Sequence, residues 1–136
     1  MRSASSLFSP CAEELLLSPF LALILLVDDD DDVRETSADM LEELGYGVVQ
    51  ATNAFEALGK LATVPDLAVM VTDVRMPGMS GLELLEIAGE RYQQLKIILM
   101  SGYFTPQPLK CRFLQKPFRT SDLDAAIRAE LRGSHA

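Results

Sequence analysis

An uninterrupted acidic run, Asp28 to Asp32, stands directly behind one aliphatic stretch, and a single carboxylate, Asp73, stands behind another. Ser101 and Lys116 close two further apolar runs. Together these are side chains suited to phosphoryl chemistry. Asp73 can act as a nucleophile and form an acyl phosphate. Lys116 offers a point positive charge to a phosphoryl oxygen, Ser101 offers a hydroxyl donor, and Gly102 leaves room for a close backbone approach. Carboxylates of Asp28, Asp29 and Asp73 brought together would repel, and their pKa values would rise unless a cation joined them. A hard divalent ion meets that need. Mg2+ prefers oxygen ligands, commonly one or two carboxylates with a substrate phosphate, and neutralises charge that develops in phosphoryl transfer.

For these residues to meet, the apolar runs must be parallel strands. Leu21–Val27 is aliphatic at every position, the pattern of a strand covered on both faces. Val48–Ala51, Leu67–Thr72, Leu95–Met100 and Arg112–Gln115 read as four more. Helical spacing fills the intervals. Asp31 to Leu44 places Val33, Ser37, Met40, Leu41 and Leu44 on one face, and Gly45 ends it. Asn53 caps a helix to Ala62, with Phe55, Leu58 and Leu61 expected inward. Gly81 to Tyr92 turns in Leu82, Leu85 and Ile87 or Ala88. Thr120 or Ser121 is expected to cap a last helix to Leu131, striped by Leu123, Ala126, Ile127 and Leu131. Alternating strands and helices predict a parallel sheet with right-handed crossovers and helices on both faces. Ligands bind such sheets at the carboxyl edge, where Asp73 enters a loop rich in turn residues, Pro77, Gly78 and Gly81.

The bulk properties exclude several other classes. A chain of 136 residues, 49% of them hydrophobic, fits one domain. A formal net charge of -8 disfavours direct nucleic-acid binding. Cys11 and Cys111 stand at no metal-binding spacing, and His135, the only histidine, lies near the end, which excludes a disulfide framework, a zinc site and a histidine-based triad. Leu15–Val27 is broken by Ser18 and Pro19 and is too short to span a bilayer. Glu13 and Glu14 stand where a secretory signal needs positive charge. The expectation is a cytoplasmic domain over residues 21–132. An extension or linker, 1–20, precedes it, with a short helix from Ser9-Pro10 to Leu17, and a tail, 133–136, follows.

The pattern Val27-Asp28-Asp29-Asp30 … Asp32-Val33-Arg34, Asp73 … Met76-Pro77-Gly78-Met79-Ser80-Gly81, Met100-Ser101-Gly102 and Lys116-Pro117-Phe118 resembles the receiver domain of bacterial two-component response regulators. The resemblance covers residues 22–131. It implies a flavodoxin-like α/β fold, a doubly wound five-stranded parallel sheet in the order 2-1-3-4-5. It also implies transfer of a phosphoryl group onto Asp73 from a histidine kinase or histidine phosphotransfer protein. By the same likeness Asp29 and Asp73 ligate Mg2+ (or Mn2+) directly, Asp28 helps through water, and the Arg75 backbone carbonyl completes the protein ligands. Ser101 and Lys116 would sense the phosphate, and Phe113 holds the position of the family's aromatic switch. Such a domain is a signalling switch and not a turnover enzyme.

The interval from Ser101 to Lys116 departs from that pattern. Pro106 and Pro108 oppose helix formation, so the fourth helix is expected to be short or missing, as in receivers that look like those attached to hybrid histidine kinases. A homodimer through the face that helix usually helps to build is left open. Two rival readings share the same residues. A pseudo-receiver would keep the fold as a docking module without phosphorylation. A haloacid-dehalogenase-like phosphatase would also use an Asp nucleophile and Mg2+, but it needs a second late acidic pair and a cap insertion, and neither is seen. A calcium loop from Asp28, Asp30 and Asp32 fails, because Val33 and Asp39 stand where Gly and Glu are required.

Overall fold

The computed structural model describes residues 21–103 and 111–133. Each aliphatic run is a strand: β1 (Leu23–Val27), β2 (Gly47–Ala51), β3 (Leu67–Asp73), β4 (Lys96–Ser101) and β5 (Arg112–Gln115). Between or after them run α1 (Asp31–Glu43), α2 (Ala54–Thr63), α3 (Gly81–Arg91) and α4 (Thr120–Leu131). All strand pairs are parallel, in the order β2-β1-β3-β4-β5. This is the flavodoxin-like architecture that the motifs implied.

The strand alternation divides the core in two. Ile24 and Leu26 face one side with Ala38 and Leu41 of α1 and Leu123 and Ile127 of α4. Leu25 and Val27 face the other with Ala54, Ala57 and Leu61 of α2 and Leu84 and Ala88 of α3. Every one of these β1 side chains is wholly buried. Full burial of such a side chain contributes about 1.5–3 kcal/mol, so β1 is fixed firmly and its end is a stable place from which to project a functional loop.

Helix α1 ends as Gly45 predicts. Gly45 takes φ +98°, its N–H donates to Glu42 O at 3.0 Å, and the Tyr46 N–H donates to Leu41 O at 3.1 Å, the paired bonds of a left-handed helix stop. Helix faces differ from the expectation in several places. Phe55 is 64% exposed, because the inward stripe of α2 is Ala54, Ala57 and Leu61, and a residue one step round from Ala54 points away. Leu131 is 42% exposed for the same kind of reason: α4 turns in Leu123, Ala126, Ile127 and Glu130. Leu84 is the fully buried leucine of α3, ahead of the half-buried Leu82 and Leu85. Arg119, not Thr120 or Ser121, holds the cap position of α4, and its N–H donates to the Asp122 carboxylate at 2.9 Å.

Among the described residues no helix separates β4 from β5. The expectation of a short or missing fourth helix falls largely on residues 104–110, and the helix expected from Ser9 to Leu17 falls within 1–20. Both stretches lie outside the described residues. No described helix is long and apolar enough to cross a membrane.

Candidate functional site

The carboxyl ends of β1, β3, β4 and β5 deliver the predicted side chains to one place. β1 reaches its last ladder bond at the Asp28 N–H, which donates to Ala51 O at 3.2 Å. Asp28 is wholly buried there. Its Oδ1 accepts the Asp30 N–H at 3.0 Å and its Oδ2 accepts Lys116 Nζ at 2.9 Å. Lys116 Nζ also lies 3.4 Å from Asp73 Oδ2. Asp29 is exposed at the rim, yet one carboxylate oxygen from each of Asp28, Asp29 and Asp73 lies within 4.8 Å of the others.

Backbone contacts fix these ends. The Lys116 N–H donates to Ser101 O at 2.8 Å, so the end of β5 is zipped to the end of β4. The Val74 N–H donates to Met100 O at 3.0 Å, and the Gly81 N–H to Val74 O at 2.8 Å. The loop after Asp73 thus folds back until α3 begins against it. A Cβ at Gly81 would run into the Asp73 carbonyl oxygen and lie 2.9 Å from Val74 Cα, so only glycine fits there.

Of the three clustered carboxylates, the Lys116 ammonium contacts two, Asp28 and Asp73. Burial pushes the Asp73 carboxyl above its usual range; Asp28 and Asp29 push the same way, and Lys116 opposes them. Burial alone would lower Lys116, but its hydrogen bond and charge contact with Asp28, reinforced by Asp73, hold it above its ordinary value. The lysine therefore stays charged, and the pocket keeps an excess of negative charge on oxygen donors alone. That donor set fits a hard divalent cation such as Mg2+ and offers nothing to a thiophilic metal.

The other predicted residues sit around this centre. Ser101 is buried, and its Oγ accepts the Tyr103 N–H at 3.0 Å. Arg75, on the loop after Asp73, is exposed, and its guanidinium carbon stands 4.1 Å above the Tyr103 ring centroid. Phe113 lies back along β5, opposite Leu99 and half-buried, among the residues lining a groove of about 470 Å³ with Phe118 of the loop before α4. A second groove, of about 620 Å³, runs from Lys116 between Val33, Thr36 and Met40 of α1 and Phe118.

Arg34 escaped the residue-by-residue reading. It is 8% exposed and donates Nη1 to Asp28 O at 2.9 Å, Nη2 to Asp31 Oδ1 at 2.7 Å and Nε to Gln50 Oε1 at 3.0 Å. Its signal was a charged residue on the inward face of a helix, one turn before Ser37 and Ala38 and two before Leu41.

With this geometry in view, residues 24–128 match the family model of the response regulator receiver domain. The chain is 43% identical over 114 residues to the transcriptional regulatory protein FixJ of Azorhizobium caulinodans, covering 78% of this chain and 53% of that protein. It is 35% identical to the response regulator receiver protein CpdR of Brucella abortus, covering 74% of this chain and 88% of the relative. It is 33% identical to the sensor kinase CckA of Brucella abortus, covering 81% of this chain and 12% of the kinase. The chain thus spans about half the length of the FixJ relative and a small part of the kinase. Among solved structures, a CheY-like receiver domain protein of Methanospirillum hungatei superposes with a TM-score of 0.76 at 30% identity, over 84% of this chain and 96% of that one. The response regulator TrrA of Thermotoga maritima, solved with Mg2+ and BeF, superposes with a TM-score of 0.74 at 30% identity, over 79% and 97%.

Proposed function

The chain belongs to the response regulator receiver domain family of two-component signalling, and on that premise we propose that it is a phosphoacceptor switch whose acceptor is Asp73. A carboxylate oxygen of Asp73 attacks the phosphorus of a phosphohistidine. The P–N bond breaks, the electron pair returns to the imidazole nitrogen, which takes up a proton, and Asp73 becomes an acyl phosphate. Lys116, charged and 3.4 Å from Asp73 Oδ2, receives a phosphoryl oxygen. Asp29, Asp73 and the Arg75 carbonyl would hold Mg2+ (or Mn2+), with Asp28 acting through water; the bound ion supplies neutralising charge for the phosphoryl oxygens. The observation that carries this reading is the meeting of Asp28, Asp29, Asp73 and Lys116 at one strand edge.

The product acts as a switch through charge. A phosphoryl group adds about 1.5–2 negative charges at neutral pH. Ser101 Oγ, now accepting from the Tyr103 N–H, can turn its own hydroxyl to that group, and the surface around Tyr103 and Phe113 answers. The donor is a histidine kinase or a histidine phosphotransfer protein in the cytoplasm. The apolar groove beside Lys116 is suited to seat it. We read residues 21–132 as the switch unit and its output as a protein contact. The phosphoryl group ends on the chain's own side chain, so the domain turns over no outside substrate.

Acetyl phosphate with MgCl2 should load the wild type with one phosphoryl group, a chelator should prevent loading, and Asp73→Asn should stay unlabelled. An Asp73→Asn chain that labels to the same stoichiometry refutes the assignment.

A further inference from the structure

Resting on the metal reading above, we propose that Arg34 is a positioning residue for the cation site, holding the Asp28–Asp29 peptide in the orientation that aims both carboxylates at the ion. The sheet stops supporting this loop at the Asp28 N–H. Beyond it, the Asp28 carbonyl accepts Arg34 Nη1 at 2.9 Å. That carbonyl belongs to the peptide leading into Asp29, so its direction sets where the Asp29 side chain leaves the backbone. The guanidinium is itself held at two other corners, by Asp31 Oδ1 at 2.7 Å and by Gln50 Oε1 at 3.0 Å. A planar fork with three fixed contacts is something lysine cannot reproduce.

Two features separate this from an ordinary helix-surface ion pair. The Arg34 side chain is 10% exposed while that of its Asp31 partner is 76% exposed, so burial of the guanidinium serves the carbonyl contact and not the pair. A cation in the first turn of α1 also opposes the helix dipole. A sequence that breaks a local rule in this way does so where a site requires it. Outer contacts that orient metal ligands change metal affinity about 10- to 100-fold when removed.

The test is Mn2+ binding to the full chain, followed by electron paramagnetic resonance, with backbone 15N relaxation of the Asp29 and Asp30 amides recorded without metal. Arg34→Lys keeps the charge and most of the stem but loses the fork. It should weaken Mn2+ about tenfold or more and drop the order parameters of those amides from about 0.85 towards 0.6. Gln50→Leu, on β2 and away from the carboxylates, should weaken Mn2+ about three- to tenfold, the scale of one hydrogen bond, and should add nothing in the Arg34→Lys background. If Arg34→Lys does not fold, Gln50→Leu decides alone. Wild-type affinity and rigid amides in a folded Arg34→Lys or Gln50→Leu chain, even one less stable to urea, overturn the inference. A wild-type chain that binds no Mn2+ overturns the metal reading itself.

Discussion

Replacing Asp73 with asparagine should make the metal-free protein more stable. One oxygen of the Asp73 carboxylate lies within 4.8 Å of one on the buried Asp28, and its Oδ2 lies 3.4 Å from the Lys116 ammonium. With an effective dielectric near 20, the first contact costs about 3.5 kcal/mol and the second returns about 5 kcal/mol. Exposed Asp29 adds under about 1 kcal/mol of repulsion. The charges nearly cancel, so the cost of holding a partly desolvated carboxylate decides the sign. That cost is roughly 1–3 kcal/mol for a polar group so placed. Asn removes the charge, keeps an oxygen for Lys116 and turns an amide toward Asp28, so Asp73→Asn should gain about 1–2 kcal/mol at neutral pH, or roughly 4 °C in Tm per kcal/mol.

The pH dependence tests the cause. Burial, with Asp28 and Asp29, raises the Asp73 carboxyl above the ordinary 3.8. A group raised on folding contributes stability that is complete below its unfolded pKa and lost as pH rises through the folded one. The advantage of Asp73→Asn should therefore be full at about pH 7 and fade towards about pH 3.5. Metal should reverse the order: at 100 times the dissociation constant, Mg2+ stabilises the wild type by about 2.7 kcal/mol, while the variant gains far less. Urea melts at two pH values, with and without MgCl2, measure all of this. A metal-free Asp73→Asn chain no more stable than wild type at pH 7 refutes the electrostatic account of the pocket.

Other substitutions probe the scaffold and the partner surface. Gly81→Ala forces a Cβ against the Asp73 carbonyl and Val74 Cα, and should cost about 1–3 kcal/mol or more in urea while reducing phosphoryl uptake by shifting Asp73. Tyr46→Phe loses the bond from a buried hydroxyl to Asp124 Oδ1 at 3.1 Å, about 1 kcal/mol. Burial and Asp124 raise that phenol above 10.0, so its contribution is complete below about pH 10 and lost above it, and the variant should show a shallower alkaline loss of stability. Thr36→Arg plants a bulky cation on the exposed lip of the groove beside Lys116. It should slow transfer from a phosphohistidine donor about fivefold or more and leave uptake from acetyl phosphate within about twofold, which paired transfer assays would compare.

The strands were legible because each is an unbroken aliphatic run, and the site was legible because its side chains follow directly where those runs stop. Helix faces were harder to read. α1 buries Arg34, Ser37 and Ala38, and α2 buries Ala54 and Ala57 while exposing Phe55. Hydrophobicity therefore points one step off the true face in α2, and it hides an arginine that belongs inside α1. Tyr46, just past the helix stop at Gly45, drew no expectation, yet it is 2% exposed and tied to Asp124 of α4. The strand order came from the family likeness, since alternation alone does not say which strands are neighbours.

The register between β1 and β3 lay beyond sequence reasoning, and the pocket depends on it. Leu23 pairs with Leu67, but Ile24 pairs with Val69, so β3 accommodates one extra residue, Ala68, at its start. Carried on unshifted, the first pairing would set Val27 against Val71 and Asp28 against Thr72, whose side chain is fully buried. The shift sets Val27 against Thr72 instead, which brings Asp28 level with Asp73 and puts both carboxylates within reach of the Lys116 ammonium. Side chains alternate faces along a strand, so a slip of one residue would exchange the two positions. An irregularity at the far end of the strand thus decides which side chain stands beside Asp28, and no motif in the sequence marks it.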